Sequence, residues 1–411
     1  MGGMSDYDVI VVGGGPSGAV CARLTAEKGA RVLLLDKASF PREKPSRDLC
    51  LAGKSRSLME EMGIISRLES KPHAKVRGIR FTSPGGKIFS QRLPRVESGE
   101  THGWGIKSTF LDNILFEHAS KTCEFREKTH VVGLLKEGDR VVGVRIADLS
   151  TKETKEIRSR IVVGADGISS TVAQQLNAND VVPEHSLSCV RGYYENVQGL
   201  TDEAEVHFLS NGTRAQLWIT PLENNTCNVG LSVQLADAQK NNIHVPTLFE
   251  KILASEPFAA RFKDAKLVGN SEMWSHSLAS HSRTRAFPGA VLLGSAAGLG
   301  ESFSGDGLGN HLLSGKLAAE TITNALEKND VSYAMLHEYE TILNAHLEND
   351  ISSAKQLHTL ASFAPALDFT FAQAAQKPAL RAHLTRAWLN EPKFPSNETV
   401  STTAFLKLLF A

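Results

Sequence analysis

The segment Asp8–Lys37, DVIVVGGGPSGAVCARLTAEKGARVLLLDK, constrains this chain more than any other. It reads as an apolar strand (Val9 to Val12), a glycine turn, a helix (Ser17 to Lys28), a second apolar strand (Arg31 to Leu35) and an acid. Gly13 allows a sharp turn off the strand, Gly15 lets backbone approach a phosphate, and Gly18 lets the helix pack close to the strands. Pro16 and Ser17 open the helix, whose unpaired N–H groups and dipole favour an anion there. Asp36, followed by Lys37, stands at the spacing where a carboxylate reaches a ribose hydroxyl. A dinucleotide pyrophosphate fits this pattern best.

At 411 residues the chain is longer than one ordinary core requires. Its 45 basic and 45 acidic residues cancel, so no net field favours nucleic acid. Five cysteines (Cys21, Cys50, Cys123, Cys189, Cys227) show no C-x-x-C spacing, which suggests neither a zinc site nor a disulfide framework. A reducing cytoplasm is the expected setting. A first strand at Asp8 is expected to leave no room for a leader, and no apolar run is long enough to span a bilayer.

Two further glycine turns follow. In Arg160–Val172, a strand ends at Gly164-Ala165-Asp166-Gly167, and Ser169 or Ser170 is placed to cap the next helix. Thr129–Asp148, just before it, alternates around Glu137-Gly138-Asp139 as a hairpin does. In Phe287–Ile322, a buried strand (Ala290 to Leu293) ends at Gly294-Ser295-Ala296-Ala297-Gly298, and Gly305-Asp306-Gly307 opens a helix through Leu308 and Gly309. Such a helix start aims N–H groups at a developing negative charge.

In this order and spacing the three motifs resemble the flavoprotein family of aromatic hydroxylases, flavin halogenases and geranylgeranyl reductases. The resemblance extends to near residue 350 and implies FAD rather than free NAD. In that family the first turn holds the ADP part, the Gly164–Gly167 turn lies near the pyrophosphate, and the Gly294–Gly309 segment holds the ribityl chain and flavin ring. Phe40-Pro41-Arg42-Glu43-Lys44-Pro45 is similar to the F-P-R-x-K-P segment of geranylgeranyl reductases. Trp218-Ile219-Thr220-Pro221 with Asn228-Val229-Gly230 is similar to their x-W-x-x-P … N-V-G strand pair. That pair walls the substrate cavity, so the resemblance implies substrate contacts from Trp218 and Pro221. The residues alone also allow Trp218 to be a core residue of its sheet.

The chain departs from the family in three places. Ser46-Arg47 replace the usual Cys-Gly, with Cys50 four residues on. Ser295 replaces an aspartate expected to bind the ribityl chain. Ser108, beside Lys107, replaces an FAD-contacting arginine, while Asp112 keeps its helix position. Candidate catalytic groups are Trp218, Cys50, His311 and Glu301, with Ser304 also a proton-donor candidate.

The expected fold is α/β plus β. A Rossmann-like, hydroxylase-type FAD-binding domain comprises 1–76, 105–180 and 280–331. A substrate-binding sheet is inserted as 77–104 and 181–279, and 332–411 forms a C-terminal helical region. Pro246–Phe262 reads as one amphipathic helix under the sheet, and Trp274–Ser282 as the return to the FAD domain. A stripe of Leu336, Tyr339, Leu343 and Leu347 marks a helix in Ser332–Phe363. The tail has three readings: it packs on its own domain, covers the cavity mouth, or touches lipid or a membrane surface.

The expected activity is hydride transfer between flavin N5 and a carbon of a mainly apolar small molecule, C=C reduction or its reverse. NAD(P)H or a reductase partner would supply electrons. Monooxygenation is the main rival. Halogenation is disfavoured because W-x-W-x-I-P is missing, and a non-catalytic flavin- or ligand-binding protein is the third reading.

Overall fold

The computed structural model describes residues 5–50, 53–93, 102–210, 213–280, 283–300, 307–389 and 402–410. Its first sheet is built on Tyr7–Val12, a strand whose last four residues are buried, as a strand covered on both faces must be. Val32–Leu35 pairs with it in parallel on one side and Thr154–Gly164 on the other. Glu124–Arg126 and Ala290–Leu292 extend the sheet, also in parallel. The helix Pro16–Glu27 follows the first strand directly. The expected hairpin is present: Thr129–Glu137 and Arg140–Asp148 pair antiparallel, with Gly138 at φ +59° in the turn.

The second sheet has seven strands. In spatial order they are Lys266–Ser277, Ser186–Glu195, Thr226–Gln234, Arg214–Pro221, Glu203–Ser210, Gly78–Thr82 and Ile88–Arg92. All pairs are antiparallel except Glu203–Ser210 with Gly78–Thr82. A small sheet orders Leu49–Cys50, Gly103–Gly105 and Ala74–Val76.

Two local expectations need correction. The 246–262 segment is two helices, Val245–Leu253 and Ala259–Phe262. Val245, Phe249, Leu253 and Phe258 are buried in one cluster with Val229 and Leu231 of the sheet. Trp274 does not start a return to the first sheet. It lies on the edge strand, opposite Cys189, because pairing with Ser186–Glu195 continues to Ser277.

Leu336, Tyr339, Leu343 and Leu347 are all fully buried in the first core, on the helix Tyr333–Ala361. Further on, Leu367, Phe371, Leu380, Leu384 and Leu409 pack with Phe81, Phe89 and Phe208 of the second sheet. Asp368 fastens this contact by accepting hydrogen bonds from Ser83 Oγ (2.5 Å) and Gly85 N–H (2.7 Å). None of the described tail lines the main cavity. Among the described residues no helix is long and apolar enough to cross a membrane.

Candidate active site

The first glycine turn is shaped by contacts that leave no room for side chains. Gly13 sits at φ +104°, and a Cβ there would lie 2.3 Å from the Ala165 carbonyl oxygen. A Cβ on Gly18 would lie 1.9 Å from the Gly13 oxygen, so the helix can approach the turn only as glycine. Gly15 differs. A Cβ there would meet only Arg42 Nη2, at 3.1 Å, and the position lines a cavity of about 370 Å³. Asp36 is buried and already engaged: it accepts hydrogen bonds from the Gly14 and Ala38 N–H groups, 2.8 Å each, and pairs with Arg42 at 3.2 Å. Arg42 lies over the Phe40 ring, and Lys44 pairs with the buried Asp112 at 2.8 Å.

The second turn meets the first across the sheet. Ala165 N–H donates to the Val12 carbonyl (2.8 Å). Asp166 accepts hydrogen bonds from Ser170 Oγ (2.5 Å) and Thr171 N–H (2.7 Å), and Ser170, not Ser169, caps the helix through Ala173 N–H. Burial raises the Asp166 pKa, against the pull of these donors. Gly164 is packed against Leu292 and Val172, whereas Gly167 is open to the cavity.

At the third turn, Gly294 has φ +55° and packs on Ser17, and Ser295 Oγ is 3.4 Å from His311 Nε2. The helix Leu308–Glu327 starts at the cavity, with Gly307 as its N-cap. Gly309 faces the Lys54 side chain instead. Glu301, Ser304 and Gly305 lie outside the described residues.

Members of all three turns therefore line one cavity: Gly13, Gly15, Pro16 and Ser17; Asp166 and Gly167; Ser295, Gly307 and Leu308. Asp36 and Lys37 lie on its wall as well. The residues fit an extended dinucleotide, since Gly15 and Gly167 both face the space with little or nothing packed against them.

Cys50, His311, Cys189, Trp274 and His276 line the same cavity. Burial, with His276 and Lys44 nearby, lowers the His311 pKa to about 3, and burial and Arg47 lower that of His276 to about 4. Both rings are thus neutral at neutral pH. Burial pushes the Cys189 thiol up to about 12. Cys50 Sγ is buried, 3.7 Å from Ser55 Oγ.

Three candidates lie off this wall. Trp218 is buried under the Arg47 guanidinium, 4.5 Å from its ring, and donates to Asn228 Oδ1 at 2.9 Å. Its edge contact with Trp274, 6.1 Å between centroids, makes Trp274 the cavity-facing tryptophan of the pair. Pro221 ends its strand, and its carbonyl packs against Gly105. Lys107 pairs with Glu223 at 3.3 Å and lies over the Tyr193 ring.

Sequence reasoning missed Asp48. Its carboxylate accepts hydrogen bonds from Ser46 Oγ, Ser108 N–H, Tyr193 Oη and Asn228 Nδ2, at 2.6, 2.8, 2.6 and 2.9 Å. The hydroxyl replacing the family's thiol is thus committed to a hub that ties the 40s segment to the second sheet. Ser46, Ser108 and Asn228 are its visible traces in the sequence.

Residues 6–292 match the family described as FAD binding domain. The digeranylgeranylglycerophospholipid reductase of Picrophilus torridus is 26% identical over 349 residues, covering 84% of each chain. A second such reductase, from Methanococcoides burtonii, is 28% identical over 354 residues, covering 85% of this chain and 82% of the relative. A geranylgeranyl bacteriochlorophyll reductase-like structure from Thermoplasma acidophilum has a TM-score of 0.79 at 22% identity, covering 99% of this chain and 96% of that one. A flavin-dependent brominase shares the fold at TM-score 0.75 and 19% identity, over 93% of both chains. The chain belongs to the FAD binding domain family and is an FAD-dependent oxidoreductase related to the geranylgeranyl reductases.

Proposed function

We propose that this oxidoreductase reduces carbon–carbon double bonds of a long, mainly apolar, isoprenoid-like substrate. The observation that carries the reading is one continuous cavity, which runs from the first glycine turn to Cys189 and Trp274 of the second sheet. The names of the curated relatives support the same substrate class. In this reading 1–76, 105–180 and 280–331 hold the cofactor, 77–104 and 181–279 the substrate, and 332–411 braces the sheet.

FAD, when bound, supplies the hydride. Gly15 and Ser17 would present N–H groups of the helix start to its phosphates, Pro16 between them fixing the helical entry without an N–H of its own, and Asp36 and Lys37 would flank the adenosine side. Ser295 takes the place of the ribityl-binding acid. Gly307 and Leu308 turn a helix start toward negative charge on the ring. Trp274 and Cys189 give the substrate an apolar wall. His276 and His311, held neutral, add no charge to that wall. The Cys50 thiol holds a proton beside the cavity, and we assign it the role of protonating the second carbon. NAD(P)H or a reductase protein delivers the electrons, in the cytoplasm, and the lipid-like substrate is met at a membrane surface.

The test is an anaerobic single turnover. Protein carrying photoreduced FAD is mixed with a geranylgeranyl-bearing glycerophospholipid, and the products are read by mass spectrometry. Gain of two hydrogens per reduced bond without oxygen is expected. Conversion only after oxygen is admitted, with oxygen in the product, would replace this reading with monooxygenation. Failure to take up FAD would remove the mechanism altogether.

A further inference from the structure

Glu69, His73 and His102 bring together three metal-ligand side chains, and none of them lines the cavity. Glu69 ends the helix Ile65–Glu69, while His73 and His102 each precede a strand of the small sheet. Their ligand atoms all lie within 4.8 Å of one another. His73 Nε2 is 3.4 Å from Glu69 Oε2, and His102 Nε2 is 2.8 Å from Glu69 Oε1.

The hydrogen-bonding roles leave one contact unresolved. His73 Nδ1 is 2.7 Å from the Lys71 carbonyl oxygen. A carbonyl only accepts, so Nδ1 carries the hydrogen. A neutral imidazole has one such hydrogen, and Nε2 therefore turns a lone pair toward a carboxylate oxygen that also only accepts. In the neutral ring two acceptors thus face each other at 3.4 Å, a spacing that a metal cation between them, or a second ring proton, would satisfy.

We propose that Glu69, His73 and His102 form a site for a divalent transition-metal ion, zinc foremost, with water completing the tetrahedron. Ligands ~2.0–2.1 Å from a tetrahedral zinc ion stand ~3.3 Å apart. The His73–Glu69 separation already matches this spacing. The Lys71 carbonyl fixes the tautomer that leaves Nε2 free to ligate, the arrangement usual for metal-bound histidine. Binding replaces the His102–Glu69 hydrogen bond, the imidazole proton moving to Nδ1. Arg56 and Lys75 oppose the ion and limit its affinity. The bound ion would join the helix end to two strands of the sheet that carries Cys50.

The test uses untagged, full-length protein stripped with EDTA and dialysed against zinc chloride, with bound metal counted by mass spectrometry. Wild type is expected to hold zinc at this site, and His73→Ala and His102→Ala each to weaken it about tenfold or more. Glu69→Gln, which can still accept from Trp104, should do likewise. Circular dichroism and flavin absorbance check the fold of each variant. Zinc uptake that is absent, or equal in wild type and folded variants, overturns the proposal and leaves His73 bridged by a proton. Should the variants misfold, the electron paramagnetic resonance spectrum of the copper(II)-loaded wild type decides. Coupling to two nitrogens supports the site and its absence refutes it.

Discussion

Asp48→Asn is the sharpest test of how the cavity is held together. Asp48 is buried and accepts four hydrogen bonds. Two of the donors, the hydroxyls of Ser46 and Tyr193, can rotate to accept instead. The Ser108 N–H cannot. Neither can Asn228 Nδ2, because Asn228 Oδ1 already receives Trp218 Nε1 and fixes the amide. Ser108 N–H faces Oδ1 of Asp48 and Asn228 Nδ2 faces Oδ2. An asparagine offers oxygen on one side only, so its NH₂ must face either the Ser108 N–H or the Asn228 Nδ2 hydrogen that is not already given to the Ser46 carbonyl.

Leaving one such donor unmet costs ~1–3 kcal/mol, and losing charge assistance on the other bonds adds ~1 kcal/mol or more. The expected loss is about 3 kcal/mol. Backbone strain does not confuse the result: Asp48 sits at φ +53°, a region that asparagine tolerates as well as aspartate. The assay is denaturant unfolding of the flavin-loaded protein at neutral pH, with Tyr193→Phe as the single-bond control at ~1 kcal/mol. Flavin retention should fall in Asp48→Asn, because the segment it anchors contributes Arg42, Lys44 and Cys50 to the cavity wall. A variant within about 0.5 kcal/mol of wild type would refute the reasoning.

Gly15→Ala should keep the fold but lose flavin, whereas Gly18→Ala, with its Cβ 1.9 Å from the Gly13 oxygen, should lose both stability and flavin. Thermal melts and flavin absorbance after gel filtration separate these outcomes. Glu205 is buried and bound by Arg261 and His207, which hold its pKa down to about 2 despite burial. A depressed carboxylate stabilises the fold above its unfolded value near ~4.3, and this is lost as pH falls toward the folded value, up to ~3 kcal/mol in all. The stability gap between wild type and Glu205→Gln should therefore shrink from pH 5 to pH 3, and a constant gap would reject the linkage. His276, neutral in the fold to about pH 4, takes up a proton below ~6.5 once unfolded. Stability should consequently fall from pH 6.5 toward 4, and less steeply in His276→Asn as followed by urea midpoints.

The sequence was most legible where the physics is local. A glycine turn between an apolar strand and a helix is a short-range pattern, and Gly13, Gly18 and Ser170 do what their neighbours require. The stripe from Leu336 to Leu347 declares one buried helix face by its period alone. The second sheet was harder. In Arg214–Pro221 every residue after the first is buried, so alternation carries no information about which face meets the cavity. Trp218 and Trp274 could not be ranked without the pairing of Lys266–Ser277 against Ser186–Glu195. That pairing depends on a register bulge between Arg191 and Tyr193 that no local spacing announces.

The departures at Ser46 and Arg47 carry the deeper lesson. Read singly, a lost thiol suggests a weakened site. In the fold, Ser46, Asp48, Ser108, Tyr193 and Asn228 form one hydrogen-bonded unit, with partners up to 182 residues apart. Arg47 stacks on Trp218 and donates to Gln216 Oε1 at 2.5 Å. The hydroxyl at 46 is therefore structural, and it leaves Cys50 on the cavity wall with a second thiol, at Cys189, opposite in sequence order but in the same space. Both thiols are buried, and burial raises the Cys189 pKa to about 12. Cys50 lies on a strand pair that the Asp48 hub holds in register through the Ile106 N–H bond to the Asp48 carbonyl.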